Sequence, residues 1–185
     1  ETEEIVFRYE RGFGKMLNSS QVEVTKHNGE KKIIDTENII IATGSHPRKL
    51  PNIDIDEKTI MTSDGIHQIE GFPKSLVIVG AGVIGCEFAT IFSNFGKTKV
   101  YLLDRAERIL PFEDEDVAKL VADNLQEKGV EIFHSVTLVS MNHKDEGVEF
   151  EVSLPDGTRE IMQVEKAMIS IGRSPNVKNI GMEEA

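Results

Sequence analysis

The sequence contains very little cysteine: Cys86 is the single one among 185 residues. One cysteine excludes an internal disulfide and a cysteine-based zinc cluster within this chain. Positive charge is also scarce, because 21 Lys and Arg stand against 32 Asp and Glu and leave a formal net charge of −11. That balance offers no basic face to a phosphate backbone and argues against a nucleic-acid partner.

Long hydrophobic runs are missing as well. Glycine or charged residues interrupt every apolar stretch well before the roughly 18 to 20 residues that a membrane span needs, and the acidic first residues do not resemble a signal peptide. A hydrophobic fraction of 39% still suffices for a packed core. We therefore expect a globular cytoplasmic protein of one domain, or one domain and part of another, without a membrane partner.

The first part of the chain has the pattern of short strands. Three apolar segments alternate with turn-forming stretches, at residues 5–7, 21–25 and 32–35. Residues 39–42 then form an apolar run that ends near Gly44. This pattern predicts a small meander that leads into one buried strand. The polar, proline-containing residues 45–59 are expected to form a surface connection.

From about residue 69 the pattern changes to strands alternating with helices. The predicted strands of this part are 76–79, 99–103, 131–133 and 167–171, the predicted helices are 84–95 and 114–128, and antiparallel segments are predicted at 136–142, 148–154 and 159–164. Alternating strands and helices predict an α/β fold with a parallel sheet and right-handed crossovers. We expect strand order 3-2-1-4, with 76–79 in the middle beside 167–171.

A glycine pattern lies between the strand at 76–79 and the helix that follows it. Gly80, Gly82 and Gly85 form G-x-G-x-x-G. In a dinucleotide-binding fold the first glycine permits the tight turn, the second admits the pyrophosphate, and the third allows close packing of helix and strand. The phosphates would lie at the positive end of the helix dipole. A glycine-rich turn without a ligand is the alternative interpretation.

An acid follows the second strand at the distance that this fold requires. Asp104 comes 19 residues after Gly85, where its carboxylate can accept hydrogen bonds from the adenine ribose. The same charge would repel a 2′-phosphate, so Asp104 favours NAD over NADP. Arg105 lies beside the ribose position and could soften that preference, although an arginine after a strand is more often only solvated.

Other reactive side chains in this region have simpler interpretations. Cys86 follows the third glycine without a neighbouring His or second Cys, so we interpret it as a packing residue rather than a nucleophile. Glu87 complements the helix dipole, but it also lies near the expected nicotinamide end of the cofactor. The acids at 113–116 are interpreted as the start of a helix rather than as metal ligands, and no metal site is predicted.

Four ordered motifs give the chain a family resemblance. They are "IIIATGSHPRKLP", "VIVGAGVIGCEFA", "LLDRAERILP" and "ISIGRSPN". Their order and spacing resemble the FAD-dependent pyridine nucleotide-disulfide oxidoreductases, with greatest similarity to the members that oxidise dihydrolipoamide. The resemblance implies a Rossmann-like three-layer domain with a parallel sheet and a β-meander. It assigns residues 1–68 to part of an FAD domain, 69–172 to an NAD domain and 173–185 to a return toward the FAD domain.

The resemblance also implies cofactor-binding positions. Those implied for NAD are Gly80, Ala81, Gly82, Val83, Ile84, Gly85, Glu87, Asp104, Val136 and Gly172, and those implied for FAD in the intact protein are Gly14, Thr43, Gly44 and Ser45. Glu87 matches the acid that pairs with a lysine near the flavin. Val83 occupies a position where some relatives carry a gating tyrosine.

The function implied by the resemblance is electron transfer from a dithiol, through a redox disulfide and FAD, to NAD. The redox disulfide, the first dinucleotide motif and the flavin-side lysine are expected before Glu1, and the dimer domain after Ala185, so we interpret the chain as a segment of a longer homodimeric flavoenzyme. The resemblance also implies assembly of that enzyme into a 2-oxoacid dehydrogenase complex. No catalytic residue is expected in this chain beyond flavin-side support from Glu87. A soluble transhydrogenase without the disulfide, another disulfide reductase and a non-catalytic nucleotide-binding module are the alternatives.

Overall fold

The structure is a computed structural model that describes residues 7–183. This part of the chain divides into two compact units. Pro47–Ser174 forms the larger unit, and residues 7–46 with 175–183 form the smaller one. In residues 7–183, no helix combines the length and the apolar character that crossing a membrane requires.

The smaller unit is built on an antiparallel meander. Its strands are β1 (Phe13–Asn18), β2 (Gln21–Thr25) and β3 (Lys31–Asp35), and β4 (Ser45–Pro47) follows where the chain enters the larger unit. Strand β2 lies between the other two, and the buried apolar side chains described in this unit are Met16, Val24 and Ile180. The expected meander is therefore present, but its first described strand is β1 rather than residues 5–7, of which 5 and 6 lie outside the described residues.

The predicted buried strand at residues 39–42 is wrong. These residues have no strand conformation, and the side chains of Ile40 and Ile41 are 91% and 43% exposed. A strand requires a neighbour for its backbone N–H and C=O groups, and no described strand pairs with this segment. Its apolar sequence indicated burial, but only Ile39 is half-buried and the other three residues are exposed.

The larger unit contains both helices and most of the strands. In chain order its elements are β5 (Ile60–Thr62), a 3-10 turn (Ile66–Gln68), β6 (Ser75–Val79), α1 (Val83–Asn94), β7 (Lys99–Leu103), α2 (Glu115–Glu127), β8 (Glu131–Phe133), β9 (Thr137–Lys144), β10 (Gly147–Ser153), β11 (Arg159–Val164) and β12 (Lys166–Ile169). A last short strand, β13 (Arg173–Pro175), forms a two-stranded sheet with β4.

The central sheet is parallel throughout, with strand order β5-β12-β6-β7-β8. The predicted order 3-2-1-4 is confirmed, with β6 in the middle between β7 and β12. Strand β5 was missed, because three buried residues beyond a proline-containing stretch give too short a pattern. Val79 lies opposite Leu103 on one side and Ile169 on the other, so three strands end at the same level.

Alternation along β6 explains the three layers. Leu76 and Ile78 face the cluster formed with α1 and α2, whereas Val77 and Val79 face the antiparallel sheet β9–β11. All four side chains are buried, as expected for a parallel strand covered on both faces. The expected α/β fold with a parallel sheet and a β-meander is confirmed. Helices α1 and α2 cover one face of the parallel sheet, and the antiparallel strands β9–β11 form the meander that covers the other.

Candidate nucleotide-binding site

The glycine turn after β6 is shaped by contacts with both neighbouring strands. The Gly80 N–H donates to the Leu103 carbonyl at 2.8 Å, and the Ser170 hydroxyl donates to the Gly80 carbonyl at 2.8 Å. Gly80 has φ +104°, and a Cβ there would lie 2.5 Å from the Ser170 carbonyl oxygen. Only glycine fits this conformation and this approach.

The next two glycines differ in what surrounds them. A Cβ at Gly85 would overlap the Gly80 carbonyl oxygen, so this glycine lets α1 approach the end of β6. A Cβ at Gly82 would meet no heavy atom within 4 Å in the described part of the chain, apart from its chain neighbours. Gly85 is therefore required by protein packing, whereas Gly82 borders open space.

Helix α1 begins beside that open space. Gly82 is its N-cap and accepts the first intrahelical bond from the Cys86 N–H at 3.0 Å. The first N–H groups of a helix lack intrahelical acceptors and form the positive end of its dipole. Buried positions Gly85, Cys86, Ala89, Phe92 and Ser93 recur with helical spacing, which seats the helix on the sheet.

Asp104 connects the end of β7 to the glycine turn. Its Oδ2 accepts the Ala81 N–H at 2.5 Å, and its Oδ1 accepts the Ala106 N–H at 2.8 Å. Its backbone carbonyl also accepts the Val136 N–H at 3.0 Å. A carboxylate has about four acceptor positions, so each oxygen keeps capacity for a further donor.

A cavity of about 660 Å³ opens along this edge of the sheet. Seven of the ten residues predicted to bind NAD line it: Gly80, Gly82, Val83, Ile84, Asp104, Val136 and Gly172. Ala81 and Gly85 are buried behind its wall. Glu87 is exposed on α1 and is not among the lining residues.

Sequence reasoning missed several other residues that line the cavity. They include Leu50, Pro111, Phe112, Leu138 and Ser170. The signal for Ser170 was available, because it lies within the strand 167–171 that was predicted beside the glycine turn. Leu138 belongs to β9 of the antiparallel sheet β9–β11, and its place at the cavity depends on how this sheet packs on the parallel sheet.

The loop after Asp104 is held by one arginine. The Arg108 guanidinium donates to the carbonyls of Leu110, Pro111 and Glu113 at 2.9, 3.1 and 3.0 Å. The Leu110 N–H donates to the Ala81 carbonyl at 2.8 Å, although Leu110 has an unfavourable φ of +46°. This loop is therefore tied both to itself and to the glycine turn.

Cys86 lies in the core beneath the turn. Its side chain is 4% exposed, and its Sγ lies 3.4 Å from the Ala81 carbonyl oxygen. Burial, reinforced by the negative charge of Asp104, raises the pKa of the thiol to about 12. A thiol that stays protonated at neutral pH is a poor nucleophile, which agrees with the interpretation of Cys86 as a packing residue.

The acidic run at 113–116 starts helix α2. Asp114 is the N-cap, and its side chain accepts the N–H groups of Asp116 and Val117 at 3.0 and 3.4 Å. Glu115 and Asp116 lie in the first turn, where negative charge stabilises a helix. The interpretation of this run as a helix start is confirmed.

The residues predicted for FAD lie in the smaller unit. Gly14 is on β1 opposite Val24. Thr43 and Gly44 are held by Asn176, whose side-chain amide donates to the Thr43 carbonyl at 3.2 Å and whose N–H donates to the Gly44 carbonyl at 3.0 Å. Ser45 begins β4. The structure thus joins the "ATGS" and "RSPN" motifs through Asn176.

A parallel sheet with a glycine turn, a helix set on that turn and an acid at the end of the next strand defines a dinucleotide-binding fold. The sequence model of the pyridine nucleotide-disulphide oxidoreductase family matches residues 2–185. The chain belongs to this family.

Curated relatives include dihydrolipoyl dehydrogenases. The chain is 36% identical over 173 residues to that of Zymomonas mobilis, covering 94% of this chain and 37% of the relative. It is 35% identical over 182 residues to that of Bacillus subtilis, covering 93% and 38%. A soluble pyridine nucleotide transhydrogenase from Marinomonas is 33% identical over 172 residues, covering 93% and 36%. The chain thus spans less than two fifths of the length of each relative.

Solved structures that superpose on the chain include a flavoprotein disulfide reductase. LpdA from Mycobacterium tuberculosis superposes with a TM-score of 0.78 at 27% identity, covering 94% of this chain and 38% of that one. The HOCl-induced flavoprotein disulfide reductase RclA from Escherichia coli superposes with a TM-score of 0.71 at 29% identity, covering 94% and 38%.

Proposed function

We propose that the larger unit binds NAD along the carboxyl edge of its parallel sheet, as the nicotinamide-nucleotide part of a flavoprotein disulfide oxidoreductase that acts as a dihydrolipoyl dehydrogenase. One observation carries the proposal. The open space at Gly82, the start of α1 and the Asp104 carboxylate border one cavity, and these are the three features that a dinucleotide requires of this fold.

The pyrophosphate is proposed to lie at the start of α1. Gly82 leaves room there for phosphate oxygens, and the N–H groups of Val83 and Ile84 belong to the first turn of the helix. Backbone donors and the helix dipole together favour an anion at this place. The nicotinamide end is proposed to extend toward Gly172, which lines the same cavity beyond β12.

The adenine ribose is proposed to lie at Asp104. Its carboxylate already accepts the Ala81 and Ala106 N–H groups, and the remaining acceptor positions suit ribose hydroxyls. A carboxylate disfavours the 2′-phosphate of NADP. Arg105 also lines the cavity and is proposed to reduce this preference without reversing it.

The rest of the proposal concerns the intact protein. Residues 1–68 and 173–185 are proposed to belong to an FAD domain, with Gly14, Thr43, Gly44 and Ser45 near FAD, and residues 69–172 to the NAD domain. Residues 47–68 of this proposed FAD domain lie within the larger unit, where β5 pairs with β12 of the central sheet. FAD, held by that domain, would supply two-electron transfer between a dithiol–disulfide couple and the nicotinamide. The described residues supply binding and orientation, and Glu87 supports the flavin side. A homodimer within a 2-oxoacid dehydrogenase complex is the proposed assembly.

Transhydrogenation is the second candidate function. It is supported by the Marinomonas transhydrogenase, whose 33% identity is close to that of the dihydrolipoyl dehydrogenases. Activity assays with the intact protein separate the two. Reduction of NAD by dihydrolipoamide supports the dehydrogenase, whereas hydride transfer from NADPH to NAD without a dithiol supports the transhydrogenase.

The binding proposal is tested by calorimetric titration of the chain with NAD and with NADP. We expect NAD to bind more tightly, and we expect Gly82→Ala to weaken NAD binding at least tenfold because its methyl group fills the space for the phosphate. Leu120→Ala, which shortens an exposed side chain of α2, is the matched control. A folded wild-type chain that binds neither nucleotide would overturn the proposal, as would a Gly82→Ala variant with unchanged affinity.

A further inference from the structure

One aromatic side chain stands uncovered at the cavity. Phe112 is 98% exposed, although it follows two buried residues, Ile109 and Leu110, and a proline. Phe112 is also the one aromatic residue among the described residues that line the cavity. None of residues 7–183 covers this large apolar ring, so its surface is available for contact.

The backbone that carries this ring is well fixed. The Arg108 guanidinium donates to the carbonyls on both sides of Phe112, those of Pro111 and Glu113. The Glu113 N–H also donates to the Leu110 carbonyl at 3.0 Å and closes a turn around Phe112. Asp114 then caps α2. The chain therefore holds the Phe112 backbone from both sides while leaving its ring free to meet a ligand.

The position of the ring along the cavity indicates which part of a ligand it meets. Phe112 belongs to the segment that leaves β7 after Asp104 and Arg105, and all three residues line the cavity. Gly172 and Arg173 line it from the segment that leaves β12. Strand β6 lies between β7 and β12, so Phe112 belongs to the side of the cavity that carries the proposed ribose acid.

We propose that Phe112 stacks on the adenine base of the bound dinucleotide and completes the adenosine part of the site. This inference rests on the proposed function. An aromatic side chain offers a π face of the kind that stacks on a flat heterocyclic base. The fixed loop lowers the cost of ordering that surface on binding.

The proposal is tested with fragments of the nucleotide. ADP-ribose contains the adenine, whereas nicotinamide mononucleotide does not. We expect Phe112→Ala to weaken binding of NAD and ADP-ribose about tenfold and to leave the affinity for nicotinamide mononucleotide unchanged. Phe112→Tyr keeps the ring and should bind like the wild type, whereas Phe112→Leu should bind like the alanine variant. Leu120→Ala is the control for loss of an exposed apolar side chain on α2.

Proton NMR gives a readout that depends on stacking itself. The adenine H2 and H8 resonances of ADP-ribose should move upfield with the wild type and with Phe112→Tyr, and this shift should disappear with Phe112→Ala. If Phe112→Ala binds ADP-ribose as tightly as the wild type, the stacking proposal is wrong while NAD binding stands. If the folded wild type binds neither NAD nor ADP-ribose, the proposed function itself fails.

Discussion

The carboxylate of Asp104 accepts the backbone N–H of Ala81, so the acid that ends β7 holds the glycine turn that ends β6. The same residue accepts the N–H of Ala106 in its own loop. Asp104 therefore has a structural role in addition to its proposed contact with the ribose. A substitution there should alter both stability and nucleotide affinity.

We predict that Asp104→Ala lowers NAD affinity about tenfold, which corresponds to roughly 1.4 kcal/mol, and narrows the preference for NAD over NADP. The substitution also leaves the buried Ala81 N–H without its acceptor, so the free energy of unfolding should fall by about 1–3 kcal/mol. Calorimetry and urea denaturation measure the two effects. Asp123→Ala, which removes a solvent-exposed partner of Lys119, should change neither. Unchanged NAD affinity in folded Asp104→Ala would restrict Asp104 to its structural role.

The two inner glycines should respond differently to alanine. Gly85→Ala forces a methyl group against the Gly80 carbonyl, and we expect it to lower the free energy of unfolding by about 1–3 kcal/mol. Gly82 is an N-cap residue whose backbone is extended and whose surroundings are open. Gly82→Ala should therefore lower the free energy of unfolding by at most about 1 kcal/mol. Urea denaturation of both variants tests this contrast. Equal losses of stability would show that the spacing of α1 from the turn is not fixed by Gly85.

Cys86 gives a prediction for alkaline pH. The pKa of its thiol is raised from an ordinary value of 9.0 to about 12 in the folded chain, so the unfolded chain releases this proton first. Below pH 9 the thiol is protonated in both states, and its contribution to the free energy of unfolding is fully present. As pH rises from 9 toward 12, the free energy of unfolding falls by about 1.4 kcal/mol per pH unit.

The measurement is the free energy of unfolding at pH 8.5 and 10.5 in the wild type and in Cys86→Ser. Serine does not titrate in this range, so the wild type should lose about 2 kcal/mol more than the variant over this interval. Lysine and tyrosine titrations affect both proteins equally. Parallel losses would contradict the raised pKa. NAD affinity at neutral pH should be nearly the same in both.

Arg108 should control the order of the loop that carries Phe112. Arg108→Lys keeps the charge but loses the planar fork that reaches three carbonyl groups. We expect faster hydrogen exchange at the amides of Leu110 and Glu113, both of which are hydrogen-bonded in this loop. Arg159→Lys, on a surface pair with Glu151, should leave those amides unchanged. Unaltered exchange in Arg108→Lys would mean that Pro111 and the buried neighbours suffice to order the loop.

Local sequence pattern predicted most of the larger unit. Strands 99–103, 131–133 and 159–164 have the predicted bounds, and the helix at 114–128 differs only by its capping residues. These elements have strong periodicity and clear turn signals at their ends. Residues 39–42 have an equally apolar sequence, but a strand also needs a partner, and sequence pattern alone does not show whether one is present.

The candidate site was predicted less completely. Gly80, Gly82, Gly85 and Asp104 follow one another in a recognisable local order, so the turn and the acid could be placed from sequence. The hydrogen bond between Ala81 and Asp104 joins residues 23 positions apart. The hydrogen bond between Ser170 and Gly80 joins residues 90 positions apart. Such contacts depend on which strands become neighbours, and local pattern carries no direct signal for them.

The contact between Ser170 and Gly80 has a consequence for synthesis of the chain. The glycine turn leaves the ribosome 90 residues before the serine that closes over it, an interval of roughly 5 to 20 seconds at usual elongation rates. During that time β6 lacks its partner β12, and the antiparallel sheet β9–β11 that covers Val77 is still being made. The newly made strand is therefore exposed to chaperones and to aggregation until translation passes Ile169.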